Sequence, residues 1–170
     1  FLLNGLSATL IISATTLILA MIGGLVIAVM DMSPFKVLRF IALSIGEVIR
    51  NTPILIQLLW IYYVLPIVMG INLDSWTALV FGLSLYSSAF IAEAYRAGIQ
   101  AIPIGHREAA IVLGLSPAQT FFRIIFPQAV RITLPPLAAN FVQLIKYSSL
   151  GAVISVGEIT RHGMELSASI

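Results

Sequence analysis

Cysteine is missing altogether, histidine occurs only as His106 and His162, and charged residues make up just 9% of the chain. Without Cys there is neither a disulfide framework nor a thiolate metal site, and two isolated His residues cannot build one. No Gly-rich phosphate loop of the G-x-x-x-x-G-K-[ST] kind occurs, so this chain is not expected to bind and hydrolyse ATP in the usual way. An HExxH pair, a Ser with a nearby His inside an apolar run, and paired carboxylates within such a run are also lacking, which argues against a membrane enzyme. The net charge is only +2, and the basic residues lie beside apolar segments. Membrane topology accounts for them there without nucleic acid. There is no internal repeat and no low-complexity tract, so residues 1–170 are expected to form one domain.

What is abundant is apolar. Hydrophobic residues reach 59% and the mean hydropathy is +1.05, far too apolar for a soluble domain of this length. The fold class expected is therefore all-α, a polytopic bundle of transmembrane helices. Leu2 to Met30 holds no charge and is long enough to span; it lacks the basic start and short core of a signal peptide. Gly23-Gly24 in its second half fits close helix packing, and fits equally the general frequency of Gly in membrane helices. Asp31-Met32-Ser33-Pro34 marks a turn, and Phe35 to Arg50 reads as a helix lying at the interface or entering from it. At Asn51-Thr52-Pro53 the proline removes a donor and biases Thr52 out of the helical region, predicting a break before the apolar run Ile54 to Met69.

A third span is expected from Thr77 to about Ile99, with Asp74-Ser75 capping it and Trp76 at an interface position. Glu93 and Arg96 near its far end are costly at membrane depth: either they pair, three residues apart, or Glu93 meets a basic residue of the loop beyond. Arg131 marks the entry to a fourth span, Ile132 to about Ile154, in which Pro135-Pro136 fits a start or a kink and Gly151 a break. Asn140, Gln143, Lys146, Tyr147, Ser148 and Ser149 crowd polar groups into that span. They fit a solute pathway, and they also fit hydrogen bonding between helices. Gly157 to Ile170, with Glu158, Arg161, His162 and Glu165, reads as a short polar return on the outer side. If the first helix runs from outside to inside, Lys36, Arg39, Arg96, Arg107, Arg123 and Arg131 all fall on the cytoplasmic side, and the Gly70 to Asp74 loop carries no Lys or Arg. The chain starts without Met and stops without a charged flank, so a longer chain with a fifth helix is expected.

Between the third and fourth spans, Arg107 to Pro127 is charged and punctuated. Glu108 to Leu113 favours helix, and Gly114 stands where a left-handed residue would end it. Ser116 suits an N-cap, Pro117 the first helical position, and Gln119 completes a capping box. Two short helices joined by a tight turn are predicted, closed by Pro103 and Gly105 upstream and Pro127 downstream, and lying outside the hydrocarbon. The stretch resembles the EAA loop of inner-membrane permeases of ATP-binding cassette importers: Glu108, Ala109, Ala110, Gly114, Ile124 and Pro127 match at the family spacing, with Phe126 where Leu is usual. Arg50 to Gln57, RNTPILIQ, is similar to the RGTPLLVQ signature of the polar amino acid subfamily, with Asn51 replacing Gly, and Phe90 to Ile99 resembles the same subfamily. Where that family shows Lys, Asp or Asn, Thr or Ser, Ser, Leu, this chain has Lys146-Tyr147-Ser148-Ser149-Leu150.

The resemblance implies a multi-pass type I importer permease of a bacterial inner membrane, moving an amino acid. Its coupling loop, about 103–127, would dock an ATPase subunit through Arg107, Glu108, Ala109, Ala110 and Gly114. A second permease, making a homo- or heterodimer, and a periplasmic or lipid-anchored binding protein are implied with it. ATP and Mg would sit on the ATPase, and this chain would bind no cofactor or metal and perform no catalysis. Thr52, Gln57, Asn140, Gln143, Tyr147, Ser148 and Ser149 are the expected substrate pathway. Tyr147 removes a carboxylate from it, which favours a neutral or acidic substrate side chain over a basic one. Lys146 meets the substrate carboxylate or snorkels outward. The alternative is a secondary carrier or channel subunit working without an ATPase, against which stand the short length and the lack of inverted repeats or a recognisable filter.

Overall fold

A computed structural model describes residues 2–168, and the side chains of all of these except residues 2–4, 162, 165, 166 and 168. The His162 and Glu165 side chains therefore lie outside the described residues. Every regular element described is helical. α1 is Leu2–Asp31 and α2 is Lys36–Asn51; α3, Ile54–Met69, contains one wide turn at Trp60–Val64. α4 is Ser75–Gln100, α5 is Ile104–Val112, α6 runs from Pro117 to Ile154, and α7 is Ile159–Ala168. α1, α4 and α6 are each long and apolar enough to cross a membrane, and α2 with α3 passes the same test as one pair bent by 104° at the break before Pro53.

α1 and α4 run in the same direction, and small residues bring them together. A Cβ on Gly24 would stand 2.8 Å from Ile91 Cγ2 and 3.0 Å from the Ser88 carbonyl, so close packing is what Gly23-Gly24 serves. In hydrocarbon, lipid tails are as apolar as Leu, and it is such van der Waals fit that holds helices together. α6 returns antiparallel to α4: Gly98 faces Thr133 with no room for a Cβ, Tyr86 packs on Tyr147, and Gly151 fits under Leu79. Buried apolar residues Ile12, Leu58, Leu79, Leu83, Leu144 and Ile154 form the main core. Asp74 caps the start of α4, accepting from the Thr77 hydroxyl at 2.6 Å and its amide at 3.1 Å. Those two donors hold the Asp74 carboxyl below the usual carboxylate range.

Two expectations are corrected. The second helix of the capped pair is not short, and Pro127 does not close it: the helix passes from Ser116 through a π turn at Phe121–Ile125 straight into the span. The π turn sends the Phe126 amide five residues back, to Phe121, and so absorbs the donor lost at Pro127. The helix thus extends upstream of Arg131, and Pro135-Pro136 lie inside it rather than at its start. Gly151 does not break the helix either; the chain tightens to 3₁₀ over Ser148–Ile154 and turns at Ser155, whose φ is +67°. Beyond it the polar return is a helix packed on the start of α1, with Glu158 fully buried and accepting from the Thr160 and Arg161 amides at 2.9 Å each.

Candidate functional site

Four regions carry the groups singled out in the sequence. Just beyond the end of α4, α5 stops in a Schellman turn: the Leu115 amide donates to the Ala110 carbonyl at 3.0 Å, the Gly114 amide to Ile111 at 2.9 Å, and Gly114 sits at φ +72°. Ser116 then opens α6 with a complete capping box, its hydroxyl accepting from the Gln119 amide and the Gln119 side chain accepting from the Ser116 amide. Arg107, Glu108 and Ala109 are exposed, whereas Ala110 is buried against the hairpin itself. The hairpin also presents Ile111, Val112 and Leu113 at 72%, 87% and 74% exposure, with Ile104 beside them at 72%. Such a cluster is an apolar surface without a partner among the described residues.

The second region lies between α4 and α6. Asn140, Gln143 and Tyr147 fall on one face of α6 at helical spacing and line a recess of about 220 Å³ with Tyr86, Ser87 and Phe90 of α4. Its far wall escaped the sequence reading, although Tyr86 and Phe90 stand four apart and pack ring to ring at 5.0 Å. The recess is lined by hydroxyls, amides and rings, with no ionisable acid or base other than the two phenols. Asn140 donates to the Pro136 carbonyl at 3.0 Å, and Gln143 is exposed. The other predicted pathway residues are not in this recess. Ser148 is buried and gives its hydroxyl to Ile145 at 2.8 Å, and Ser149 gives its own to Lys146 at 2.6 Å. Lys146 is exposed and does not line the recess.

Thr52 and Gln57 line a separate, mostly apolar recess of about 310 Å³ against Leu85. Both side chains serve the break between α2 and α3. The Gln57 amide nitrogen donates to Ile49 O at 2.8 Å and Thr52 O at 3.0 Å, and the Thr52 hydroxyl donates to Val48 O at 2.7 Å. Carbonyls orphaned where α2 ends are satisfied in this way.

Glu93 and Arg96 do pair, and they belong to a larger network whose other members the sequence left unconnected. Asp31 at the end of α1 lies 3.5 Å from Arg96 and 3.9 Å from Arg39, while Arg50 of α2 reaches Glu93 at 3.7 Å and Glu47 at 2.9 Å. The ends of α1, α2 and α4 are thereby fastened to one another. Glu93→Gln keeps the shape and removes the charge that Arg50 and Arg96 share. Because these groups are partly exposed, the expected cost is about 1 kcal/mol or less. Lower membrane abundance with an unaltered ranking of substrates is the expected outcome, read by quantitative blotting and competition uptake; a switch in which solute is preferred would place Glu93 in the pathway.

Residues 7–167 match the family described as binding-protein-dependent transport system inner membrane component. The L-cystine transport system permease protein TcyB of Bacillus subtilis is 36% identical over 165 residues, covering 97% of this chain and 70% of the relative. The glutamine transport system permease protein GlnP of Escherichia coli K12 is 39% identical over 174 residues, covering 98% of this chain and 77% of the relative. Among solved structures, the crystal structure of an amino acid ABC transporter with histidines superposes with a TM-score of 0.92 at 39% identity, covering 98% of this chain and 78% of that one.

Proposed function

Because the chain belongs to the family of binding-protein-dependent transport system inner membrane components, we propose that it is the permease subunit of an ATP-driven importer for amino acids with neutral or acidic side chains. The relatives named for cystine and glutamine support an amino acid as cargo. The observation that carries the coupling role is the capped hairpin with Ile104, Ile111, Val112 and Leu113 turned out of the chain. We assign this surface, with Arg107, Glu108, Ala109, Ala110 and Gly114, to a groove on a separate ATPase subunit that holds the ATP and Mg.

A second permease subunit completes the pore, a periplasmic or lipid-anchored binding protein delivers the solute, and the assembly sits in a bacterial inner membrane. Solute passes the recess of Asn140, Gln143 and Tyr147, whose amides and hydroxyls replace water around a zwitterion. Thr52 and Gln57 support the path by holding the corner between α2 and α3, and Ser148 and Ser149 by shaping the 3₁₀ end of α6. Closure of the ATPase pair moves the hairpin, and the spans rock between inward-open and outward-open states.

Affinity purification of the tagged full-length permease from its native membrane tests this reading. An ATPase subunit recovered in stoichiometric amount is the expected result, and a permease that purifies alone in every mild detergent would oppose it.

A further inference from the structure

The hairpin is joined to the span by helix, with no loop between them. α6 has 38 residues from Pro117 to Ile154. At 1.5 Å per residue it measures about 57 Å, against about 30 Å of hydrocarbon, so its first turns project from the bilayer as a lever. A rigid lever would transmit every displacement of the hairpin, but this one contains a single wide turn, Phe121–Ile125, at a telling place. From the last residue of that turn onward the shaft is clamped: Ile125 and then Ala129 are buried with Ile102, and Thr133 fills the site beside Gly98 of α4. Upstream lies the exposed hairpin. The wide turn thus sits where the fixed part of the lever meets the free part, and bending concentrates there.

The local chemistry makes that turn adjustable. The Phe126 amide reaches back five residues to Phe121 instead of four to Phe122. Pro127 has no N–H to offer either register, so the ordinary α register and the wide register each leave a carbonyl without its usual donor. Their difference in energy is smaller than in a helix without proline, and switching between them turns the hairpin by about 100° of helix rotation relative to the shaft. One side chain spans the joint. The Gln128 amide nitrogen, on the clamped side, donates to the Ile124 carbonyl inside the wide turn at 2.7 Å.

We propose that Gln128 is a positioning residue for transport, which fastens the Phe121–Ile125 turn and so sets how far movement of the hairpin reaches the span. The proposal rests on the importer reading above. It is tested in proteoliposomes holding the complete importer, with the full-length permease, by measuring amino acid imported per ATP hydrolysed. Gln128→Glu matches the shape but has no donor at neutral pH, Gln128→Leu removes the donor by a different route, and Gln128→Lys keeps an N–H donor.

The two donor-free variants are expected to lose about fivefold in the import-to-ATP ratio, the population shift a single hydrogen bond controls. Gln128→Lys should stay near wild type, and all three should retain the ATPase subunit and the half-saturating solute concentration. An unchanged ratio in both donor-free variants overturns the proposal. So does an equal fall in the Lys variant, which would point to bulk, or a fall that accompanies loss of the ATPase subunit, which would make Gln128 a docking contact. If the wild-type complex imports nothing on adding ATP, it is the importer reading that fails.

Discussion

Replacing Gly114 by Asp in the full-length permease is expected to lower recovery of the ATPase subunit about tenfold or more and to take transport close to background, while membrane insertion stays normal. The backbone accounts for part of this. Gly114 is held at φ +72° by the Schellman turn, and an L-residue in that region costs about 1–2 kcal/mol, less for Asp and Asn than for most. Intrachain crowding contributes nothing, because a Cβ at Gly114 meets no atom within 4 Å. What remains is the partner: a carboxylate placed beside exposed Val112 and Leu113 has to be desolvated on docking. Gly114→Asn carries the same backbone strain without the charge and should fall between the two. Pull-down against tagged ATPase subunit, with uptake measured in parallel, reads both. Undiminished co-purification and transport in Gly114→Asp would remove the hairpin from the coupling role.

Tyr147→Asp is expected to raise uptake of arginine relative to glutamate by about tenfold or more. The recess of about 220 Å³ holds no carboxylate, and Tyr147 closes one side of it with its ring edge against Tyr86, centroids 5.7 Å apart. Asp at this position opens space and adds a charge facing the amides of Asn140 and Gln143. A charged hydrogen bond is worth about 1.5–3 kcal/mol, and about 1.4 kcal/mol is tenfold in affinity. A basic side chain gains that term and an acidic one meets repulsion. Initial rates for glutamine, glutamate and arginine, measured separately, provide the check. If the three rates and their ratios stay as in wild type while the protein elutes normally, Tyr147 does not contact the solute.

The capped hairpin was legible because its signals are local. Gly114, Ser116, Pro117 and Gln119 each state a backbone requirement within a turn of where it is met, and all four are met. The bundle followed from hydropathy, and the bend before Pro53 from the missing donor. Misreading began where a local rule has a nonlocal remedy. Pro127 is an ordinary helix stop, yet α6 runs through it, absorbing the lost donor with a π turn and keeping Thr133 seated beside Gly98 of α4. Asp31, Arg50, Glu93 and Arg96 were all visible, but only folding brings the ends of α1, α2 and α4 together, so their network could not be read from spacing. Gln57 was expected along the substrate pathway, and two backbone acceptors at the helix break satisfy its amide nitrogen without any solute. The far wall of the recess was within reach, since Tyr86 and Phe90 repeat at the same helical interval as Asn140, Gln143 and Tyr147.

The most direct measurement is uptake of labelled amino acid into proteoliposomes containing the full-length permease, its ATPase subunit and the binding protein, with ATP supplied on the ATPase side. Uptake that needs ATP, the ATPase subunit and the binding protein together, and that stops when any one is withheld, is what an importer permease predicts. Uptake that continues with the permease alone, driven by the solute or ion gradient, would contradict it and identify a carrier or channel working without an ATPase.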